Sequence, residues 1–273
     1  MPTEQTLIYD VGAHIGQDSD FYLRKGFKVV AVEACPDLSC RLRERFRSYE
    51  ADGRLVLIDA AIAEQEGEVE FYFNESKSEW GTIRPDWAAR NLRLGAPSRK
   101  IKVRAIPFGS VLRRYGIPYY LKVDIEGADL LCLEALAGFS EKPNFVSLES
   151  DKRSWEGLLR EFEMLQGLGY NRFKVIDQGN IMSQAPPEPS REGAYVKHSF
   201  EFGASGLFGE ELPGSWLTAD AALDKYRTIF SKYRMFGDYG RWRDNLAVRL
   251  GRHLPGVSRI FQASWYDTHA TRA

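Results

Sequence analysis

The sequence has few cysteines and no long apolar run. Its three cysteines, Cys35, Cys40 and Cys132, are odd in number and lack the paired short spacing of a zinc site, which predicts free thiols in a reducing cytoplasm. No apolar run approaches the roughly 20 residues that cross a bilayer. The first residues have no basic segment followed by an apolar one, as a secretory signal would. We therefore expect a cytoplasmic protein without integral membrane association.

An excess of positive charge is also missing. The 37 Lys and Arg residues are balanced by 38 Asp and Glu residues, a net charge of −1, so no basic field exists to hold the phosphates of a nucleic acid. Hydrophobic residues make up 44% and charged residues 27% of the 273 positions, the balance of an ordinary globular protein. This length suffices for one large core and is short for two domains. The composition predicts one domain with an appendage and no nucleic-acid partner.

Short β-branched or apolar runs alternate with stretches of helical period along most of the chain. This alternation indicates an α/β protein with a mostly parallel sheet covered on both faces. We predict a Rossmann-like domain over residues 1–203 and a helical extension rich in basic and aromatic residues over 204–273. The strands are predicted at 7–11, 28–33, 55–62, 119–125, 144–149 and 170–176, with 195–202 closing the sheet as an antiparallel strand, and the helices at 16–25, 36–49, 155–168 and from 218 onward.

A second strand pattern interrupts this order after residue 67. Residues 68–74 alternate apolar and polar side chains too regularly for a helix, and 101–106 is their expected antiparallel partner. Residues 75–99 between them are polar, contain tryptophans and are long enough to form a functional loop.

A glycine turn follows the first predicted strand. Asp10 ends that strand, and Gly12 and Gly16 flank the turn before the helix, which is the context in which such a turn binds a ligand. His14 occupies the middle of the turn, which disfavours a bare pyrophosphate and favours a nucleoside. Glu33 ends the second strand near the spacing at which an acid accepts hydrogen bonds from ribose hydroxyls. Each feature is common alone, but together they predict a nucleoside site.

Three segments at successive strand ends resemble the motifs of the FkbM-type methyltransferases. They read DVGAHIGQ at 10–17, VEACP at 32–36 and LKVDIEGAD at 121–129. The resemblance implies S-adenosylmethionine as methyl donor, a class I methyltransferase sheet, and O-methylation of a glycan or small natural product. His14 stands where the family more usually has asparagine. The resemblance also implies cofactor contacts from Asp10, Gly12, Gly16, Glu33 and Asp59, with Asp124 and Glu126 at the reacting centre. By its place in the turn we also expect His14 to contact the cofactor.

The reacting centre implied by this resemblance contains several candidate bases. A hydroxyl acceptor loses a proton as it is methylated, so a base within hydrogen-bond reach assists the transfer. Asp124 is the first candidate, although it is also suited to orienting the donor or capping the next helix, and Glu126 is the alternative. His14 and His198 rank lower, because a lone histidine more often has a structural role. Lys122 is expected to face the opposite side of the sheet.

No set of metal ligands is evident in the sequence. A magnesium site would form if Asp124 met Glu149 or Asp151 from the neighbouring strand end, because hard cations bind several carboxylate oxygens. Nothing in the spacing requires this meeting, so we predict no metal.

Two other functions fit the first turn and its acid. An NAD-dependent oxidoreductase would use the same βαβ unit, although His14 opposes a diphosphate. A non-catalytic nucleoside-binding module would bind the donor without turnover. Nucleic-acid methylation is disfavoured, because the segment Pro118-Tyr119-Tyr120 begins the fourth strand rather than ending it.

The last part of the chain is locally basic. Residues 225–273 contain ten Lys or Arg against three Asp. One hypothesis is that this segment docks an anionic partner such as a phosphorylated glycan carrier or a membrane surface. The alternative is that its aromatic side chains pack on the domain while the arginines stay solvated. The interleaved aromatic residues are Tyr226, Phe230, Tyr233, Phe236, Tyr239 and Trp242.

Overall fold

The computed structural model describes residues 3–151, 154–237, 240–242, 245, 246, 248 and 264–272. The strands within them are β1 (Thr3–Val11), β2 (Lys28–Glu33), β3 (Leu55–Asp59), β4 (Ala61–Ile62), β5 (Gly67–Asn74), β6 (Ser98–Ile106), β7 (Ile117–Val123), β8 (Phe145–Glu149), β9 (Arg172–Asp177) and β10 (Tyr266–Thr271). The helices are α1 (Gln17–Arg24), α2 (Pro36–Arg45), α3 (Arg47–Ala51), α4 (Pro85–Arg93), α5 (Phe108–Tyr115), α6 (Leu130–Ala137), α7 (Trp155–Gly167) and α8 (Ala219–Phe236).

The larger sheet has seven strands in the order β3-β2-β1-β7-β8-β10-β9. Strand β10 runs antiparallel to both of its neighbours, and the other pairings are parallel. Strands such as β2 and β7 are nearly continuous buried runs, because helices cover both faces of a parallel sheet. The arrangement confirms the predicted class I methyltransferase sheet, which is mostly parallel with one antiparallel strand.

The closing strand lies elsewhere than predicted. Residues 195–202 form no strand, and β10 takes the place between β8 and β9. The alternation within 195–202 instead reflects burial against α1, where the rings of His198 and Phe200 pack on Phe21. The division predicted at residue 203 therefore does not separate the sheet from the extension, because the extension supplies one of the sheet's strands.

The predicted helices are confirmed, with one division. Helix α2 begins at Pro36, which suits a first helical turn. It ends at Arg45, because the backbone of the buried residue Phe46 leaves the helical region before α3 begins. Helix α7 begins after Ser154, whose hydroxyl accepts a hydrogen bond from the backbone N–H of Gly157 at 3.0 Å.

The smaller sheet has the order β4-β6-β5 and confirms the predicted antiparallel pair. The strand predicted at 55–62 is divided, because the chain leaves the larger sheet after Asp59 and pairs with β6 as β4. The predicted loop at 75–99 contains α4 and returns to the carboxyl end of β7, where the hydroxyl of Thr82 donates to the carbonyl of Glu126 at 2.8 Å. This return places the loop beside the glycine turn.

Helix α8 joins the extension to the core. Its first turn is capped by Thr218, and Tyr226 in its middle is fully buried. The hydroxyls of Tyr226 and Thr268 on β10 share a hydrogen bond of 2.7 Å. One aromatic residue of the basic segment thus packs on the domain, whereas residues 249–263 of that segment lie outside the described residues and the anionic partner stays a prediction. Among the described helices, none has the length and apolar character to cross a membrane.

Candidate active site

The site lies at the carboxyl ends of the neighbouring strands β1 and β7. The strand order runs from β1 toward β2 in one direction and from β7 toward β8 in the other, and open α/β sheets bind ligands at such a crevice. The backbone N–H of Asp124 donates to the carbonyl of Val11 at 2.9 Å. Gly12 follows with a φ of 85°, and a Cβ there would overlap the carbonyl oxygen of Asp124. Only glycine lets the two strand ends approach this closely.

Glu33 is held by the turn that it faces. Its Oε2 accepts a hydrogen bond from the backbone N–H of His14, and its Oε1 accepts one from that of Cys35, each at 2.8 Å. Burial raises the pKa of Glu33 to about 7, although these hydrogen bonds oppose the rise. Each oxygen retains lone-pair capacity for a further donor. Glu33 can therefore accept hydrogen bonds from the hydroxyls of a ligand.

His14 connects the turn to the long loop. It adopts a left-handed backbone conformation with a φ of 51°, and its Nε2 lies 2.8 Å from Oγ of Ser78. Burial lowers the pKa of His14 more than the charge of Glu79 raises it. The ring is therefore neutral at neutral pH and forms part of the cavity wall.

Lys122 is the buried cation of the site. Its Nζ lies 3.0 Å from Asp10 and 3.7 Å from Asp18, and it donates to the carbonyl of Gly12 at 2.9 Å. Burial lowers the pKa of Lys122, but the nearby carboxylates of Asp10 and Asp124 outweigh burial and raise it overall. The prediction that Lys122 faces the opposite side is wrong, because it pairs in register with Asp10 and paired residues share one face of a sheet.

A first cavity opens at this crevice and encloses about 790 Å³, its open mouth included. One wall is polar and contains Gly12, His14, Glu33, Lys122 and Asp124. Other lining residues are apolar. Such a lining suits a nucleoside, whose base has apolar faces and whose ribose carries hydroxyls. The apolar residues include Ala60, Ala61, Ile62, Phe71 and Ile83.

Asp59 does not line the first cavity, contrary to the prediction. Its carboxylate is about half exposed and pairs with Arg43 of α2. The backbone turns away from the larger sheet at this point, so the following residues Ala60 and Ala61 line the cavity in its place. The side chain of Asp59 therefore contacts Arg43 and not the first cavity, where the cofactor contact was predicted.

Asp10 and Gly16 support the turn from outside the cavity. Asp10 is fully buried and accepts a hydrogen bond from the hydroxyl of Ser19 at 2.6 Å. Gly16 packs so closely on Phe46 that a Cβ would collide with its ring. Of the predicted cofactor residues, Gly12, His14 and Glu33 line the cavity itself.

The loop after β7 is shaped by Asp129. Its two carboxylate oxygens accept hydrogen bonds from the backbone N–H groups of Ile125 and Gly127, each at 3.0 Å. Glu126 between them has a φ of 50°. Gly127 lies against the indole of Trp87, where a Cβ would overlap the ring. Asp129, the last acid of the motif, therefore stabilises the loop conformation in which Glu126 lines a cavity.

A second cavity adjoins the first and encloses about 1420 Å³, its open mouth included. Asp124, Glu79 and Gly203 line both cavities. Burial raises the pKa of Glu126 in this wall well above its usual range, and Glu149 and Asp124 raise it further. The second cavity is lined by the acids Glu79, Asp124, Glu126, Glu149 and Asp151, the cations Lys77 and Arg90, and the aromatic residues Trp80, Trp87, Phe202, Tyr233 and Trp265.

Several of these residues were not identified from the sequence. Trp80 and Trp87 lie in the tryptophan-containing loop of residues 75–99, which was predicted to be functional, but neither was singled out as a site residue. Trp265 gave no signal, since it precedes a strand whose pairing is entirely long-range. His198, a lower-ranked candidate base, stacks on Phe21 and lines neither of these two cavities.

A family model of the methyltransferase FkbM domain matches residues 10–172. This chain belongs to the FkbM methyltransferase family. The match contains the glycine turn, Glu33 and the loop after β7. As a family member, the protein is an S-adenosylmethionine-dependent methyltransferase, which decides against the NAD-dependent oxidoreductase and the non-catalytic nucleoside-binding module.

Solved methyltransferase structures are similar to this FkbM methyltransferase at low identity. Precorrin-6y C5,15-methyltransferase from Geobacter metallireducens GS-15 is 10% identical, with a TM-score of 0.41 over 100% of this chain and 82% of that chain. Phosphoethanolamine N-methyltransferase 2 from Haemonchus contortus, in complex with S-adenosyl-L-methionine, is 11% identical, with a TM-score of 0.38 over 100% of this chain and 49% of that chain. No match was found among curated proteins. The acceptor is therefore inferred from this chain's own residues.

Proposed function

We propose that this FkbM methyltransferase transfers the methyl group of S-adenosylmethionine to a hydroxyl of a glycan or small natural product. The observation that carries the proposal is that Asp124 lines both cavities. A carboxylate thus stands where a donor in one cavity and an acceptor in the other would meet. Adjacency of this kind matters, because holding two reactants in line lowers a barrier by about 7–11 kcal/mol in favourable cases.

The first cavity fits the cofactor by the chemistry of its walls. Glu33 retains lone pairs that can accept hydrogen bonds from the ribose hydroxyls. Gly12 and His14 line the same cavity, so a bound cofactor can contact the turn. The apolar lining residues, such as Ala60, suit the faces of adenine. When bound, S-adenosylmethionine supplies an electrophilic methyl group. We assign Gly12, His14 and Glu33 to holding it, with Asp10 as a support of the turn.

Asp124 receives the proton of the acceptor. A hydroxyl becomes a better nucleophile as its proton moves to a base within hydrogen-bond reach. Asp124 is the carboxylate of the motif loop that lines both cavities. Glu126 is the second receiver, because it belongs to the same motif loop as Asp124 and lines the second cavity. The hydroxyl oxygen then bonds to the methyl group as the sulfur–methyl bond breaks.

The walls of the second cavity favour a neutral, hydroxyl-rich acceptor. Trp80, Trp87 and Trp265 offer flat apolar surfaces to a sugar ring or an aromatic ring, and the carboxylates accept hydrogen bonds from hydroxyls. Five acids against two cations line this cavity. The excess of negative charge disfavours phosphorylated or carboxylated groups inside it.

Calorimetry tests the donor site. Wild-type protein is expected to bind S-adenosylmethionine and its demethylated product, whereas NAD should not bind. Glu33→Ala should weaken binding of both at least about tenfold, because it removes the acceptor of the ribose hydroxyls. Equal binding by Glu33→Ala would contradict the assignment of Glu33.

Methyl transfer tests the acceptor chemistry. Matched acceptors that carry either a hydroxyl or an amine at the same position are incubated with methyl-labelled donor, and we expect the label on oxygen. Asp124→Asn should lower kcat by about 10²–10⁴-fold, whereas Asp151→Asn, elsewhere in the second cavity, should mainly change KM. Label on nitrogen alone, or full kcat in Asp124→Asn, would refute O-methylation with Asp124 as base.

A further inference from the structure

Three carboxylates converge on the wall of the second cavity. Ligand oxygens of Asp124, Glu126 and Glu149 lie within 4.8 Å of one another. Asp124 and Glu126 come from the loop after β7, and Glu149 ends the neighbouring strand β8. Asp124 therefore meets Glu149, which the sequence spacing alone does not require.

A fourth carboxylate stands beside this cluster on a separate strand. Asp267 of β10 pairs in register with Glu149, so both side chains lie on the same face of the sheet. Only 7% of Asp267 and 8% of Glu126 is exposed. Within the described part of the chain, neither carboxylate has a hydrogen-bond or ion-pair partner. Two buried acids from different elements, each close enough to feel the charges of Asp124 and Glu149, thus lack a donor.

Burial and nearby charges act on the pKa values of Glu126 and Asp267. Burial raises the pKa values of Glu126 and Asp267 well above the usual range, and neighbouring carboxylates raise both further. Arg90 opposes the rise at Glu126, and Lys122 opposes it at Asp267 while already paired with Asp10. Carboxylates removed from water require compensating positive charge, which protons or a metal ion can supply.

We propose that Asp124, Glu126 and Glu149 bind one divalent cation at the junction of the two cavities. The ligand atoms are all carboxylate oxygens, which favours a hard cation of the magnesium, manganese or calcium class over zinc. Because Asp124 lines both cavities, a cation there binds the acceptor hydroxyl and lowers its pKa. This role toward the acceptor rests on the proposed function, whereas binding of the cation does not.

The cation is compatible with Asp124 as the receiver of the proton. A carboxylate has two oxygens and about four lone-pair sites, so one oxygen binds the cation while the other takes the hydroxyl proton. The bond from oxygen to methyl still forms as the sulfur–methyl bond breaks. The cation makes the hydroxyl more acidic, and the bonds that form and break in the methyl transfer stay the same.

Manganese is the first probe, because electron paramagnetic resonance distinguishes its free and bound forms. We expect the wild-type chain to bind one Mn²⁺ that Mg²⁺ displaces. Glu126→Gln and Glu149→Gln should each weaken Mn²⁺ binding at least about tenfold, because the number of charged ligands sets the affinity. Asp151→Asn removes a carboxylate from the same cavity wall outside the cluster, so it should change the affinity by less than about threefold.

Terbium luminescence reports the position of the bound ion. Trp87 packs against Gly127, the neighbour of Glu126, so its excitation should sensitise a Tb³⁺ ion held by the cluster. Trp87→Phe should lower this emission while Mn²⁺ binding persists, and the emission that remains should come from Trp80 and Trp265 of the same cavity. Trp216→Phe is the matched control, because Trp216 stacks on Phe145 at the other end of β8.

Two outcomes would overturn the cation site. One is the absence of Mn²⁺ binding to the wild type at about 1 mM, the weak limit of known calcium sites, and the other is equal binding by both glutamine variants. Thermal unfolding checks the variants, which should melt no lower than the metal-free wild type because each loses a crowded buried charge. Titrations without donor or acceptor separate this inference from the proposed function. If Mn²⁺ binds but no label is transferred to the hydroxyl acceptors, the proposed O-methylation is rejected and the cation site is retained.

Discussion

The ammonium of Lys122 lies 3.0 Å from the carboxylate of Asp10, and both side chains are almost fully buried. The two residues face each other in register on β7 and β1, the strands whose carboxyl ends form the crevice. The pair joins the two sides of the candidate active site, and Lys122 lines the first cavity. Its loss should therefore affect stability and donor binding together.

Lys122→Met should destabilise the protein by about 3–5 kcal/mol, because it leaves Asp10 and Asp18 buried without their cation. Urea unfolding followed by circular dichroism measures the change. Lys122→Met combined with Asp10→Asn should recover part of the loss, since the double variant removes one uncompensated charge. A single variant as stable as the wild type would show that the pair contributes nothing to folding.

Affinity for the demethylated product should rise with pH because of Glu33. Burial raises the pKa of Glu33 to about 7, so the group is mostly protonated below that pH and ionised above it. Ribose hydroxyls donate to the ionised form. At about pH 5.5 roughly 3% of the carboxylate is ionised, so binding should be about thirtyfold weaker than at about pH 8.5.

The control for this profile is Glu33→Gln, measured by calorimetry over the same pH range. This variant should bind more weakly and with little dependence on pH, because no titrating group remains at position 33. If Glu33→Gln kept the wild-type profile, the titration would belong to another group, and the assignment of Glu33 to the ribose would lose its support.

Asp59→Asn should leave the affinity for S-adenosylmethionine within about twofold of the wild type, as for a surface substitution. The side chain pairs with Arg43 outside the first cavity. Asp59 is the register partner of Glu33 on the neighbouring strand, so it is a matched control for Glu33→Ala in the same titration. A loss as large as that of Glu33→Ala would restore Asp59 as a cofactor contact.

Gly12→Ala should destabilise the protein more than Gly26→Ala. Both glycines have positive φ values, 85° and 92°, and a left-handed alanine costs about 1–2 kcal/mol at either position. The new Cβ at Gly12 would also overlap the carbonyl of Asp124, whereas at Gly26 it meets no atom within 4 Å. Chemical denaturation of both variants measures the difference. Equal losses would mean that β1 and β7 can separate at no cost.

Most strands of the larger sheet were predictable, because their signal is local. A strand buried on both faces is a continuous apolar run whatever its neighbours are, and β2 and β7 have this character. The glycine turn and Glu33 were predictable for the same reason, since a strand end followed by a helix places them at one edge of the sheet.

The last strand was not predictable from local pattern. Its sequence YDTHAT is polar, yet Asp267, Thr268 and His269 are buried between β8 and β9. Residues 195–202 have the alternation expected of a strand but pack it against α1. Pairing partners that lie far apart in the chain decided between these two segments.

The sequence by itself determined the kind of fold, the nucleoside turn and the acidic motif after β7, because each depends on residues close together in the chain. Tertiary structure alone decided that Lys122 faces Asp10, that Asp59 turns to Arg43, and that Asp124 meets Glu149. These meetings depend on the register between strands and on where the chain leaves a sheet. Register is a property of paired strands, so no single segment encodes it.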